Sequence, residues 1–93
     1  MAKSRKIYKV KIDKDAAGFI RAQAKKIQRQ IFKKINSIAE DPYHRGAQIG
    51  SSPDLFKARS GRYRIAYKIK ESYLLILVVR VGHRRDFYRY FER

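Results

Sequence analysis

Apolar residues near the N-terminus alternate with lysines at the period of a β-strand. The alternation predicts a half-buried strand over residues 7–12, with its apolar face formed by Tyr8, Val10 and Ile12. Asp13 follows as a candidate N-cap, so we expect a short helix from that point to about Ala24.

The clearest helical period lies between Ile27 and Ala39. Apolar residues recur there every three or four positions, with Lys, Arg and Gln between them, which predicts an amphipathic helix. The helix is expected to end at Glu40-Asp41, because the residue before Pro42 is pushed out of helical geometry. The first half of the chain therefore predicts a strand and a helical hairpin that covers a sheet.

The second half of the chain has the pattern of strands. Residues 43–53 contain glycines, a proline and small polar residues, and are expected to form a loop. Three strands should follow, at Asp54–Arg59, Arg62–Lys70 and Tyr73–Val81. Ser60-Gly61 is expected to form the two-residue hairpin turn between the first two of them. The last strand is apolar on both faces, which predicts a central position in the sheet. Asp86–Phe91 can form a short terminal helix.

These elements predict one α+β domain over residues 1–93. We expect a twisted, mostly antiparallel four-stranded sheet in the order β-α-α-β-β-β, with the helical hairpin on one face and a basic opposite face.

The charge balance indicates which partners suit such a surface. The chain has 24 Lys and Arg against 8 Asp and Glu, a net charge of +16. This surface attracts polyanions, so nucleic acid or an acidic protein is favoured over a neutral metabolite, although a merely well-solvated surface is the alternative. No cysteine is present for disulfides or thiolate zinc sites. The longest apolar run is too short for a membrane helix and no signal-peptide core precedes residue 7, so we expect a cytoplasmic protein without a membrane partner.

Cations are concentrated on one face of the predicted hairpin. Strand alternation places Lys57 and Arg59 on one side of their strand, and Arg64 and Lys68 on one side of the next. The turn can bring Arg64 close to Lys57 or Arg59, and like charges opposite each other destabilise a sheet. The cluster therefore indicates a site that binds an anion. The alternative is an ordinary solvated sheet face of a Lys/Arg-rich protein.

A second basic cluster follows the last strand, after Gly82, which is expected to allow a sharp exit. Its members are His83, Arg84, Arg85, Tyr88 and Tyr90. As structural alternatives, His83 can be a hydrogen-bonded structural histidine, Arg85 can pair with a carboxylate, and one tyrosine can pack on the sheet. Carboxylates and histidines are not clustered in sequence as metal-dependent nucleases require, so we expect no metal or other cofactor.

Three segments resemble a known family. They are Asp41-Pro42-Tyr43-His44-Arg45-Gly46, Lys57 with Arg64-Ile65-Ala66-Tyr67, and Val81-Gly82-His83-Arg84-Arg85-Asp86-Phe87-Tyr88. Together with the order of elements, they are similar to the RelE/ParE toxin superfamily over nearly the whole chain. The resemblance implies the toxin of a type II toxin–antitoxin system, held inactive by an antitoxin that wraps around it. RelE-type members cut messenger RNA in the ribosomal A site, whereas ParE-type members inhibit DNA gyrase.

The resemblance to the RelE branch also implies roles for single residues. Lys57 matches the first catalytic lysine of that branch, Arg64 matches its phosphate-binding arginine, and Arg84 matches the arginine that follows the glycine. Tyr90 aligns with the catalytic tyrosine without a gap, but Tyr88 occupies the tyrosine position of the commoner pattern, so both remain candidates.

The remaining candidates complete the site that the resemblance implies. A histidine near the position of His83 takes part in catalysis in other members. Further RNA contacts are expected from Arg59, Arg62, Lys68 and Arg85.

RNA chemistry agrees with the RelE branch. RNA carries its own nucleophile, the 2′-hydroxyl, so an enzyme needs alignment, a base and cations around the phosphorane. Lys57 or His83 is expected to act as base, and a tyrosine to stack or handle a proton. We therefore expect a metal-independent endoribonuclease whose partners are an acidic antitoxin, the ribosome and messenger RNA. The alternative is a ParE-type gyrase inhibitor.

Overall fold

The computed structural model describes residues 7–91, and for residues 88–91 it describes the backbone only. The elements in chain order are β1 (Lys9–Ile12), α1 (Lys14–Arg21), α2 (Lys25–Glu40), β2 (Ala47–Gln48), β3 (Leu55–Ser60), β4 (Tyr63–Lys70), β5 (Leu75–His83) and α3 (Arg84–Phe91). A single 3₁₀ turn, Glu71–Tyr73, joins β4 to β5.

The sheet has the strand order β1-β5-β4-β3-β2. β1 runs parallel to β5, and the other neighbours are antiparallel. The α+β class, the helical hairpin and the interior position of the last strand are confirmed. The predicted count of four strands is wrong by one, because β2 contributes only two residues, paired with Lys57 and Phe56, and so short a strand leaves no alternation in the sequence.

The core lies between the sheet and the first two helices. Isoleucines of α2 supply one side of it, namely Ile31, Ile35 and Ile38, all at most 2% exposed. The sheet supplies the other side, from the residues of β4 and β5 that point to the helices: Ile65, Tyr67, Ile69, Ile76, Val78 and Val81. This apolar helix-facing side leaves the opposite, open face of the sheet to the polar residues of the same strands.

The hairpin turn lies one residue later than predicted. Ser60 pairs with Tyr63, so the two turn residues are Gly61 and Arg62. Gly61 takes a positive φ of 62° at the first turn position, which glycine adopts without strain. This shift changes which cations face each other across β3 and β4.

The start of β5 and its end also differ from the prediction. Leu74 adopts a left-handed φ of 48° after the 3₁₀ turn, so β5 starts at Leu75. Gly82 lies inside the strand, and the chain leaves the sheet only after His83, where α3 begins. The predicted sharp exit at Gly82 is therefore wrong.

The loop between α2 and β3 is held against the sheet by one buried hydrogen bond. The hydroxyl of Tyr67 donates to the Pro42 carbonyl oxygen at 2.7 Å. Gly46 lies directly over the same ring, where a Cβ would collide with the Tyr67 hydroxyl and approach the Lys57 carbonyl oxygen to 2.6 Å. Among residues 7–91, no helix is both long and apolar enough to cross a membrane.

Candidate nucleic-acid interface

The register of β3 and β4 brings three cations together on the open face. Arg59 pairs directly with Arg64, and Lys57 pairs with Ala66, which makes it the diagonal neighbour of Arg64. The predicted proximity of these three residues is confirmed. Three cations on adjacent strands repel one another, so an anion at this place would relieve a cost that the fold carries.

Arg64 is the most unusual member of the cluster, because it is 7% exposed. Its Nη1 donates to the carbonyl oxygens of Gly61 and Tyr63, each at 3.1 Å. Its Nε is buried and has no hydrogen-bond partner in the part of the chain that the structure describes. The guanidinium is thus held at the hairpin by two backbone carbonyl oxygens and is largely buried, and within residues 7–87 no carboxylate is hydrogen-bonded to it.

An open cleft of about 640 Å³ lies on one side of Arg64. We call it the first cleft, and its walls are Arg62, Arg64, His83, Arg84 and Arg85. Gly82 pairs with Arg64 across the sheet, and a Cβ there would meet nothing within 4 Å, so the space beside Arg64 stays open. The backbone N–H of Arg84 donates to the Arg62 carbonyl oxygen at 2.8 Å, which ties the start of α3 to the hairpin turn.

His83 lies between the first cleft and the helices. Its ring contacts Tyr63 edge-on, at 5.8 Å between centroids, and Tyr63 in turn contacts Phe19 of α1. Its Nδ1 accepts a long hydrogen bond of 3.4 Å from the backbone N–H of Arg85, as an N-cap residue of α3 does. When Nδ1 accepts this bond, the neutral ring has its N–H at Nε2 and can donate from that atom, while a role of His83 as base stays a prediction.

A second cleft lies on the other side of Arg64. We call it the second cleft. Its walls are Lys34, His44, Arg45, Gly46, Ala47, Lys57, Ala58, Arg59 and Arg64. Lys34 comes from α2, whereas His44 and Arg45 come from the loop that Tyr67 holds, and His44 Nδ1 lies 2.9 Å from an Asp41 carboxylate oxygen. Arg64 lines both clefts, so the two meet at its side chain.

Sequence reasoning missed three polar residues of this wall, namely Lys34, His44 and Arg45. Lys34 is one of many lysines on α2, and only the packing of α2 beside β3 distinguishes it from exposed Lys33. His44 and Arg45 stand in a segment that carried the family resemblance, so that motif was the signal that could have found them.

Other predicted residues lie apart from this constellation. Lys68 shares the open face with Arg64 but is four positions along β4, roughly 13 Å away at strand spacing, and lines neither cleft. The side chains of Tyr88 and Tyr90 lie outside the residues that the structure describes, so their roles stay predictions. Phe87 of α3 is 2% exposed and anchors that helix to the protein.

The clefts carry one sign of charge. Each wall residue with a charge is a cation, and no carboxylate lines either cleft within residues 7–87. Within the same described part of the chain, no group of three or more histidines and carboxylates is placed to hold a metal ion. The arrangement can neutralise phosphates through its concentrated positive charge.

Comparison with known proteins places the chain in a family. The model of the ParE toxin of type II toxin–antitoxin systems, parDE, matches residues 7–88. A RelE-like toxin protein of Escherichia coli is 32% identical over 79 residues, which cover 83% of each chain. This chain belongs to the RelE/ParE superfamily of type II toxins. The predicted resemblance is confirmed.

Solved structures of the superfamily have the same fold. The toxin–antitoxin complex RelBE2 of Mycobacterium tuberculosis matches with a TM-score of 0.78 and 20% identity, over 88% of this chain and 97% of that one. The intact Escherichia coli RelBE complex matches with a TM-score of 0.72 and 26% identity, over 82% and 95%. The family model carries the ParE name and the relatives carry the RelE name, so membership alone does not decide between the two branches.

Proposed function

We propose that this RelE/ParE superfamily toxin is a ribosome-dependent endoribonuclease of the RelE type that acts in the cytoplasm. The observation that carries the proposal is the pair of cation-lined clefts that meet at the buried Arg64. A buried guanidinium without a bonded carboxylate is costly for a folded protein, and a phosphate group compensates that cost. The 32% identity to a RelE-like toxin supports the same branch.

The cleavage step follows from RNA chemistry and this geometry. The 2′-oxygen attacks the adjacent phosphorus, its proton passes to the uncharged amine form of Lys57, and the bond from phosphorus to the 5′-oxygen breaks. The 5′-oxygen takes up a proton from a water molecule, so the products are a 2′,3′-cyclic phosphate and a 5′-hydroxyl. Arg64 and Arg84 stabilise the charge on the phosphorane, and His83 donates a hydrogen bond from Nε2. Tyr88 or Tyr90 completes the site by stacking or by handling a proton.

Partners of the toxin follow from the same proposal. The solved RelBE2 and RelBE structures are toxin–antitoxin complexes. A net charge of +16 on this chain suits an acidic antitoxin in the resting cell and RNA in the active state. Salt should weaken the antitoxin complex, while its apolar contacts persist.

The deciding experiment adds the purified toxin to programmed ribosomes and maps the ends of the message. We expect cuts that leave a 5′-hydroxyl and a cyclic phosphate. Arg64→Ala and Arg84→Ala should each lower the rate on the order of 10²–10³-fold, which is typical for loss of one transition-state donor. Lys33→Ala is the matched control, because Lys33 is exposed and lines neither cleft, and it should cut at the normal rate. Cutting that persists in the Arg64→Ala, Arg84→Ala double variant would assign catalysis to other residues.

Gyrase inhibition is the second candidate, since the matching family model is that of the ParE toxin. A supercoiling assay with purified DNA gyrase, run on the same preparations, separates the two. Blocked supercoiling together with an intact message would move this toxin to the ParE branch.

A further inference from the structure

The second cleft has a wall that the proposed cleavage step does not use. The step needs Arg64, Arg84 and Lys57, whereas Lys34, His44 and Arg45 stand on the far side of the cleft from β4. We call these three residues the far wall. They bring two cations and an imidazole beside Lys57, Arg59 and Arg64, and the like charges of these side chains repel one another.

The far wall is built to keep its position. Its loop is tied to the sheet by the 2.7 Å hydrogen bond between the Tyr67 hydroxyl and the Pro42 carbonyl, and that ring is 0% exposed. Gly46 allows the backbone next to Arg45 to lie directly on Tyr67 and Lys57, closer than any side chain would permit. His44 is held in turn by Asp41, at 2.9 Å. A wall fixed in this way can bind a ligand without first being ordered.

The two clefts share Arg64 as a wall residue, and this determines what kind of ligand could reach both. They have similar volumes, about 640 and 560 Å³, and Arg64 belongs to both. A ligand that fills them needs two anionic groups joined by a short tether that passes over Arg64. A single-stranded phosphodiester chain has this form, because successive phosphates follow each other along one backbone.

We propose that the far wall, formed by Lys34, His44 and Arg45, binds a second phosphate of the same RNA strand, next to the phosphate that is cleaved at Arg64. This inference rests on the proposed endoribonuclease function and extends it to the footprint of the substrate. The toxin would then require at least two consecutive phosphates, and Lys34 would contribute to binding and not to the chemical step. Arg64→Ala should lower the rate of cutting, whereas Lys34→Ala should raise KM with kcat unchanged.

The first test measures binding of short RNAs that cannot be cut. The probes are 2′-O-methyl UpU, with one phosphate, and 2′-O-methyl UpUpU, with two, each titrated into the purified toxin with binding measured by calorimetry. We expect the wild-type toxin to bind UpUpU about tenfold more tightly than UpU, the gain of one charge-assisted phosphate contact. Lys34→Ala should remove most of that difference, and Lys34→Arg should restore it.

Lys33→Ala is the control that makes the test specific. Lys33 and Lys34 are adjacent in α2 and carry the same charge, but only Lys34 lines the cleft. General attraction by a +16 protein would make both variants lose affinity equally. The salt dependence adds a second readout: the slope of log K against log salt for UpUpU should fall by about 0.7 in Lys34→Ala and stay unchanged in Lys33→Ala.

The outcomes separate this inference from the proposed function. If the toxin cuts message but Lys34→Ala and Lys33→Ala bind UpUpU alike, the second phosphate site is refuted and the nuclease stands. If the toxin cuts nothing but UpUpU binding still depends on Lys34, the site stands and the nuclease assignment fails. Equal affinity of the wild-type toxin for UpU and UpUpU would overturn the two-phosphate footprint.

Discussion

The buried tyrosine hydroxyls and the guanidinium of Arg64 differ in how far the fold provides them with hydrogen-bond partners. Tyr67 donates to a backbone carbonyl, and Tyr8 donates to the Glu71 carboxylate at 2.7 Å, so each buried hydroxyl has a partner within the protein. Arg64 is buried to a similar degree, yet its Nε has no partner among the described residues and its neighbours are cations. The tyrosines satisfy the requirements of folding, whereas Arg64 leaves a buried donor unsatisfied, and the proposed function gives its charge a partner in a phosphate group.

The largest effect is expected when a charge is introduced at adjacent residues on the two faces of the sheet. Val78 is 0% exposed beneath the helices, so Val78→Asp buries an unpaired charge and should prevent folding. Leu77 is half-buried on the open face and pairs with Lys68 and Lys11, so Leu77→Asp gains two cationic neighbours and should fold. Circular dichroism and thermal melting of both variants provide the measurement. Two variants that unfold alike would show that the open face is also core.

A medium effect is expected where the tyrosines meet their partners. Tyr67→Phe leaves the Pro42 carbonyl without its buried donor and should cost about 1–3 kcal/mol of the free energy of unfolding. Chemical denaturation measures it. An unchanged midpoint would mean that water replaces the hydroxyl and that the loop is not held by this bond.

The same tyrosines predict an upper pH limit of stability. Burial raises the pKa of Tyr67 to about 12 from its ordinary value of 10.0, and burial next to Glu71 raises the pKa of Tyr8 to about 12. A raised pKa means that the folded state holds these protons after the unfolded state has lost them. Their contribution is therefore complete below about pH 10 and lost as the pH rises toward about 12. Unfolding titrations across this window should show a shallower loss for Tyr67→Phe than for the wild type.

The smallest effect is expected at an exposed ion pair. Lys70 Nζ lies 3.8 Å from an Asp54 carboxylate oxygen, and both side chains are about two-fifths exposed. Asp54→Asn should change the free energy of unfolding by less than about 1 kcal/mol, because water and salt screen the pair. Denaturation curves at low and high salt measure this. A larger loss of unfolding free energy would show that the ion pair stabilises the fold as much as the tyrosine hydrogen bonds do.

Periodicity was sufficient to predict most of the fold. The isoleucine spacing predicted the buried face of α2, and the apolar residues on both faces of the last strand predicted its interior position. Both predictions are confirmed. The two-residue β2 and the shift of the turn to Gly61-Arg62 involve too few residues to produce a periodic pattern in the sequence. They depend on tertiary pairing, which overrides local preference.

The candidate site was predicted in part for a related reason. Residue types at strand spacing indicated the cluster of Lys57, Arg59 and Arg64, because alternation and one turn bring them together. The burial of Arg64 and the inclusion of Lys34 depend on how the hairpin, α2 and the loop pack in three dimensions. No one-dimensional pattern contains that information.

The most direct test of the account replaces Arg64 by an uncharged chain of similar length. Arg64→Met removes the buried charge while it fills the same space, and both cutting on the ribosome and the free energy of unfolding are measured on one preparation. We predict a rate lower by on the order of 10²–10³-fold, with a stability equal to or above that of the wild type. Normal cutting by a destabilised protein would show that Arg64 serves the fold and would contradict the account.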